Sequence, residues 1–134
     1  MVSKSDKEAL VNYRIQRAYE TAEDARIALD NNRLFNAQNR IYYALFYSVS
    51  ALAVKSDFST SKHTQLLGWF NRNIIHAGVL PIELGRFYKK AFENRQEGDY
   101  DDFVVFEKDD VQADYLEAID FIKSIEKLIE TSVN

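Results

Sequence analysis

One arginine stands where the charge of the chain reverses. In the run Glu93-Asn94-Arg95-Gln96-Glu97-Gly98-Asp99-Tyr100-Asp101-Asp102-Phe103, a basic helix end meets an acidic, aromatic segment. Residues 1–96 carry 14 Lys and Arg against 9 Asp and Glu, whereas residues 97–134 carry 3 against 12. The Arg95 guanidinium is always charged and can donate two parallel hydrogen bonds, which suits a phosphate; Tyr100 then offers a second donor and Asp99 fixes the fork. The competing reading is structural. An arginine in a last helical turn complements the helix dipole, and Asp99 follows it at i+4.

Other chemistry-bearing residues are few. Arg40 lies in Arg40-Ile41-Tyr42-Tyr43-Ala44, on a stretch otherwise apolar, so it must reach solvent, a ligand or an acid; Glu93 and Asp99 are the expected ion-pair partners. Tyr42, Tyr43, Phe46 and Tyr47 repeat at helical spacing, which marks core or a dimer contact more than a surface for stacking bases. His63 and His76 have no carboxylate three or four residues on, so no metal or other cofactor is expected. The sequence has no cysteine, nucleophile elbow or phosphate-binding glycine loop. Net charge −4 argues against wholesale coating of nucleic acid but leaves a local phosphate site open in the basic part.

The elements that must position these residues are helices. Four glycines and one proline in 134 residues leave room for long uninterrupted ones, and the length suits one domain over 1–134. Ser5-Asp6-Lys7-Glu8 reads as a capping box for helix one, with Ile15, Ala18, Tyr19, Ala22, Ala25 and Leu29 facing inward. Helix two, from about Arg33 to Lys55, is apolar nearly all round and so should be buried on every side. Helix three is expected over Lys62 to His76, closed by Ala77-Gly78. Helix four follows Pro81 with Leu84, Phe87, Tyr88, Ala91 and Phe92 inward, and stops before Gly98.

Residues Asp99 to Lys108, including Phe103-Val104-Val105-Phe106, read as a loop packed on the bundle. The last helix is capped within Asp109 to Gln112 and turns Val111, Tyr115, Ala118, Ile119, Ile122, Ile125 and Ile129 inward. Short connections make this an all-α up-and-down bundle. No stretch reaches the ~20 apolar residues of a membrane span, and the N-terminus has no signal-like core, so a cytoplasmic protein is expected.

The segments Asn36-Ala37-Gln38-Asn39-Arg40-Ile41-Tyr42-Tyr43-Ala44-Leu45-Phe46, Ser61-Lys62-His63, Pro81-Ile82-Glu83-Leu84-Gly85-Arg86 and Arg95-Gln96-Glu97-Gly98-Asp99-Tyr100, in that order, resemble the HEPN domain family in its small prokaryotic branch. The resemblance implies four long helices plus a shorter fifth, a homodimer, and frequent pairing with a minimal nucleotidyltransferase in toxin–antitoxin systems. It also implies, for many members, a metal-independent ribonuclease built on an arginine followed after four to six residues by a histidine. Arg95 matches that arginine, but the histidine positions hold Tyr100, Asp101 and Asp102; only His63 or His76 could substitute. The expectation is a homodimeric component that binds a phosphate or nucleotide around Arg95, Asp99, Tyr100, Arg40 and His63, with Tyr42, Tyr43, Phe46, Tyr47 and Phe92 as core or dimer contacts. The alternatives are an endoribonuclease toxin using Arg95 with Tyr100 and Asp99, and a stand-alone nucleotide-binding module.

Overall fold

Ser3, not Ser5, opens the first helix: its hydroxyl accepts the Asp6 N–H at 3.1 Å, so the cap forms two residues earlier than the Ser5–Glu8 pattern suggests. The computed structural model describes residues 3–100 and 105–132, with side chains described for 3–95 and 105–132. Five α-helices result: α1 (Lys4–Asp30), α2 (Leu34–Lys55), α3 (His63–Phe70), α4 (Ile82–Tyr100) and α5 (Lys108–Thr131). Four are long and α3 is short, and there is no strand among the described residues.

α1 ends at Asp30, and Asn32 takes a left-handed φ of 58°, a conformation that asparagine tolerates, so the chain reverses into α2 within three residues. Ala18, Ala22 and Ala44 are almost fully buried with Ile122, and their small side chains let α1, α2 and α5 approach closely. α2 is the central element, packed against α1, α3, α4 and α5. Its Ile41, Tyr42, Leu45 and Val49 are at most 1% exposed. Of the two ways expected to bury α2, the centre of a bundle or another subunit, the bundle alone leaves Asn39, Arg40, Tyr43, Phe46 and Tyr47 as a half-exposed stripe.

The third helical segment also differs from expectation. Regular α-helix stops at Phe70, and Asn71–Ile75 form a π turn before Gly78, whose φ of +76° lets the chain turn toward α4. α4 then runs on through Gly98 to Tyr100 instead of stopping before that glycine. A helical glycine costs only about 1 kcal/mol relative to alanine, a penalty a long helix can absorb. α5 begins at Lys108 with Glu107 as its cap residue, placing Asp109 and Asp110 within its first turn, where their charge favours the dipole. The expected packed loop is described only from residue 105; Phe106 meets Phe35 edge-on at 5.1 Å, while Val105 is exposed.

Gly85 marks the closest approach of α4 to the π turn. A Cβ there would lie 3.0 Å from Ile75 Cγ1 and 3.3 Å from Asn71 Oδ1. Overpacking costs ~1–3 kcal/mol, against a helix-propensity gain of ~0.5–1 kcal/mol on replacing glycine by alanine. Gly85→Ala should therefore lower stability by about 1 kcal/mol in urea denaturation. An unchanged or raised midpoint would mean that the π turn yields.

Candidate functional site

Three helices converge beside the half-exposed stripe of α2. α2 contributes Tyr42 and Tyr43, α3 contributes His63 as its first helical residue, and α4 contributes Arg95. The Arg95 guanidinium carbon lies 5.5 Å from the Tyr42 ring centroid and 5.3 Å from that of Tyr43. Both distances suit cation–π attraction, which anchors the charge against α2. Arg40 lies 5.0 Å from the Tyr43 centroid, so that one ring faces two guanidiniums.

His63 is held from several sides. Its Nδ1 lies 2.6 Å from the Tyr42 hydroxyl, its ring stacks on Phe46 at 4.4 Å, and Tyr43 meets it edge-on at 5.6 Å. Burial lowers the His63 pKa from its ordinary 6.5, and the nearby positive charge of Arg95 lowers it further. The imidazole is thus kept neutral near pH 7, with Nε2 as its second nitrogen. Burial raises the Tyr42 hydroxyl pKa, opposed by Arg95, so Tyr42 also stays protonated. Beneath it, the fully buried Tyr88 hydroxyl has its pKa raised by burial and by the proximity of Tyr42. Among the described residues no group meets strict hydrogen-bond geometry with that hydroxyl.

The structure therefore brings together Arg95, His63, Tyr42, Tyr43 and Phe46, with Phe92 buried 5.9 Å from Tyr42. Tyr47 adjoins Phe46 at 5.9 Å and carries Arg17 at 5.2 Å from its centroid. The expected ion pair of Arg40 does not form with Glu93, and the side chain of Asp99, the other expected partner, lies outside the described residues. No carboxylate among the described residues pairs with Arg40; its Nε and Nη2 donate to Asn39 Oδ1 at 3.2 and 2.7 Å, and a half-exposed helix face lets the guanidinium reach that amide and solvent. The side chains of Asp99 and Tyr100, and Asp101 and Asp102, expected at the site, lie outside the described residues, although α4 carries Asp99 one turn beyond Arg95.

Sequence reasoning missed Arg14 and Arg17 on α1, which border the same stripe, and turned Tyr88 inward without connecting it to Tyr42. The arginines sit three apart on one helix face, a local signal that does not say what the face would meet. His76 lies on the far side of the π turn, near Ile82, Arg86 and Lys89. Among the described residues no group of three or more His, Asp or Glu could hold a metal ion. Among the described residues no helix is long and apolar enough to cross a membrane.

Comparison with known proteins places the chain in a family. The model of the HEPN domain matches residues 11–134. A UPF0332 protein of Thermotoga maritima is 46% identical over 126 residues, covering 94% of this chain and 96% of that protein. The Methanocaldococcus jannaschii protein named "Putative toxin MJ0142" is 32% identical over 108 residues, covering 76% of this chain and 71% of its own length. A second protein of that organism, "Putative toxin MJ0605", is 29% identical over 86 residues, 64% of each chain. The chain belongs to the HEPN domain family.

Proposed function

We propose that this chain is the toxin-type component of a two-protein system, a cytoplasmic homodimer that binds phosphate-bearing nucleotides or RNA in the cleft around Arg95 and associates with a minimal nucleotidyltransferase. The observation that carries this reading is the placement of a permanent cation, Arg95, over two tyrosine rings with a neutral imidazole in its field. A phosphate would meet the guanidinium, and a base would find flat aromatic faces beside it. Family membership and the toxin names of two relatives support the same class. The half-exposed Tyr43, Phe46 and Tyr47 give a second copy an apolar strip to cover.

Coexpression with the nucleotidyltransferase encoded beside its gene is expected to yield a complex that survives size exclusion at micromolar concentration. A chain that elutes alone, or a gene with no such neighbour, counts against the partnership. A second reading, a metal-independent ribonuclease, is favoured by one specific observation. The imidazole missing four to six residues after Arg95 is supplied in space by His63. Neutral and hydrogen-bonded to Tyr42, it could accept a 2′-hydroxyl proton while Arg95 holds the scissile phosphate. Intact RNA after incubation with the purified chain would exclude that reading and leave the binding one standing.

A further inference from the structure

On the side of His63 bordered by α1 lies a groove of about 440 Å³ lined by Arg14, Phe46, Tyr47, Ser50, residues 59–61 and His63. Its volume is within the range of small-ligand clefts, about 300–1,000 Å³. The protein is net negative, and two larger cavities are lined by Asp24 in one case and by Glu8, Asp57 and Glu130 in the other, yet among the described residues no carboxylate lines this groove. It offers one guanidinium, hydroxyls from Ser59, Thr60 and Ser61, and the flanks of two aromatic rings. Arg14 is half-buried and pairs with no carboxylate among the described residues. Arg17, seated over Tyr47, adds a second cation beside it.

We propose that this groove is a second nucleotide subsite, so that the ligand is a single strand of RNA that passes His63, with one phosphate at Arg95 and a neighbouring nucleotide in the Arg14 groove. His63 joins the two places physically: it lines the groove, and it lies close enough to Arg95 for that charge to act on it. A cation, hydroxyl groups and the flanks of aromatic rings form a combination that holds a strand without base readout, chiefly through phosphate contact. A mononucleotide would occupy only one of the two places. The proposal rests on the reading of the Arg95 cleft as a phosphate site.

The test is calorimetric titration of the full chain with hexauridylate and with uridine monophosphate at two salt concentrations. Arg14→Ala should weaken hexauridylate on the order of tenfold, as loss of one charge-assisted phosphate contact implies. It should also make the salt dependence shallower by ~0.7 in log–log slope, and leave uridine monophosphate unchanged. Arg14→Gln, which keeps the length and packing of the side chain, should behave alike, whereas Arg95→Ala should weaken both ligands. If hexauridylate binds Arg14→Ala and Arg14→Gln as it binds the wild type while Arg95→Ala still weakens both ligands, the groove proposal is wrong and the Arg95 cleft stands. If the Arg14 variants alter the sedimentation of the dimer but not RNA affinity, the groove is a face between copies and the proposal fails. If the wild type binds neither ligand, both readings fall.

Discussion

Replacing Arg95 with alanine is expected to lower the affinity for hexauridylate by at least about tenfold and to relieve growth arrest caused by expressing the chain. A hydrogen bond to a charged group contributes about 1.5–3 kcal/mol, which corresponds to roughly 10- to 150-fold in a binding constant. Arg95→Lys should recover little, because an ammonium is a point charge without the planar fork that grips two phosphate oxygens and rests against two rings. The variant also gives up cation–π contacts of ~0.5–2 kcal/mol, so thermal melting must show that it remains folded before binding is read. A second readout separates an electrostatic loss from a structural one. The charge of Arg95 lowers the His63 pKa, so the NMR titration of His63 should move upward in Arg95→Ala. A folded Arg95→Ala variant that binds hexauridylate as tightly as the wild type would show that the guanidinium packs α4 against α2 and nothing more.

Long-period features were readable in the sequence. The inward stripe of α1 includes Ile15, Ala18, Ala22, Ala25 and Leu29, all buried, because a 3.6-residue period leaves little choice of face. The same rule placed Val111, Ala118, Ile122 and Ile125 in the core but left Tyr115, Ile119 and Ile129 only half-buried, while Phe121 was missed beside Phe70, Phe87 and Tyr88. Periodicity says which face turns inward, not how wide the neighbouring helices make that face. The buried Asp114 shows the same gap. It receives Lys90 Nζ at 3.1 Å and Gln38 Nε2 at 3.4 Å, partners 24 and 76 residues away that no local pattern connects.

The site divides along the same line. Arg95 and the aromatic stripe of α2 could be singled out from residue type alone, since a lone arginine at a charge reversal and four aromatics on one helix are visible locally. The pairing of His63 with Tyr42 could not be read, because it depends on how the loop from Ser56 to Lys62 returns α3 against α2. For Arg40 the local argument left solvent or an acid open, and only the structure shows a half-exposed position with Asn39 and the face of Tyr43 as its described contacts.

Tyr42→Phe is the substitution that should expose this pairing most clearly. It keeps the ring, and with it the contacts to Phe92 and Tyr88, but removes the hydroxyl 2.6 Å from His63 Nδ1. Leaving a partly buried ring nitrogen without its partner should cost about 1–3 kcal/mol, read as a shift of the urea midpoint with unchanged slope. If the bond is the cause, the cost should largely vanish in a His63→Phe background, where no nitrogen remains to be satisfied; an equal cost in both backgrounds would show that the hydroxyl serves something else. The pH dependence has a defined sign. A histidine whose pKa is lower when folded binds fewer protons in the native state, so its contribution to stability is fully present above the unfolded value near 6.5. It is lost as pH falls from there toward the folded pKa, and is constant below it. The wild type should therefore lose stability below pH ~6.5 faster than His63→Phe. Parallel curves would mean that the imidazole titrates alike in the folded and unfolded chain, so that neither burial nor Arg95 shifts it.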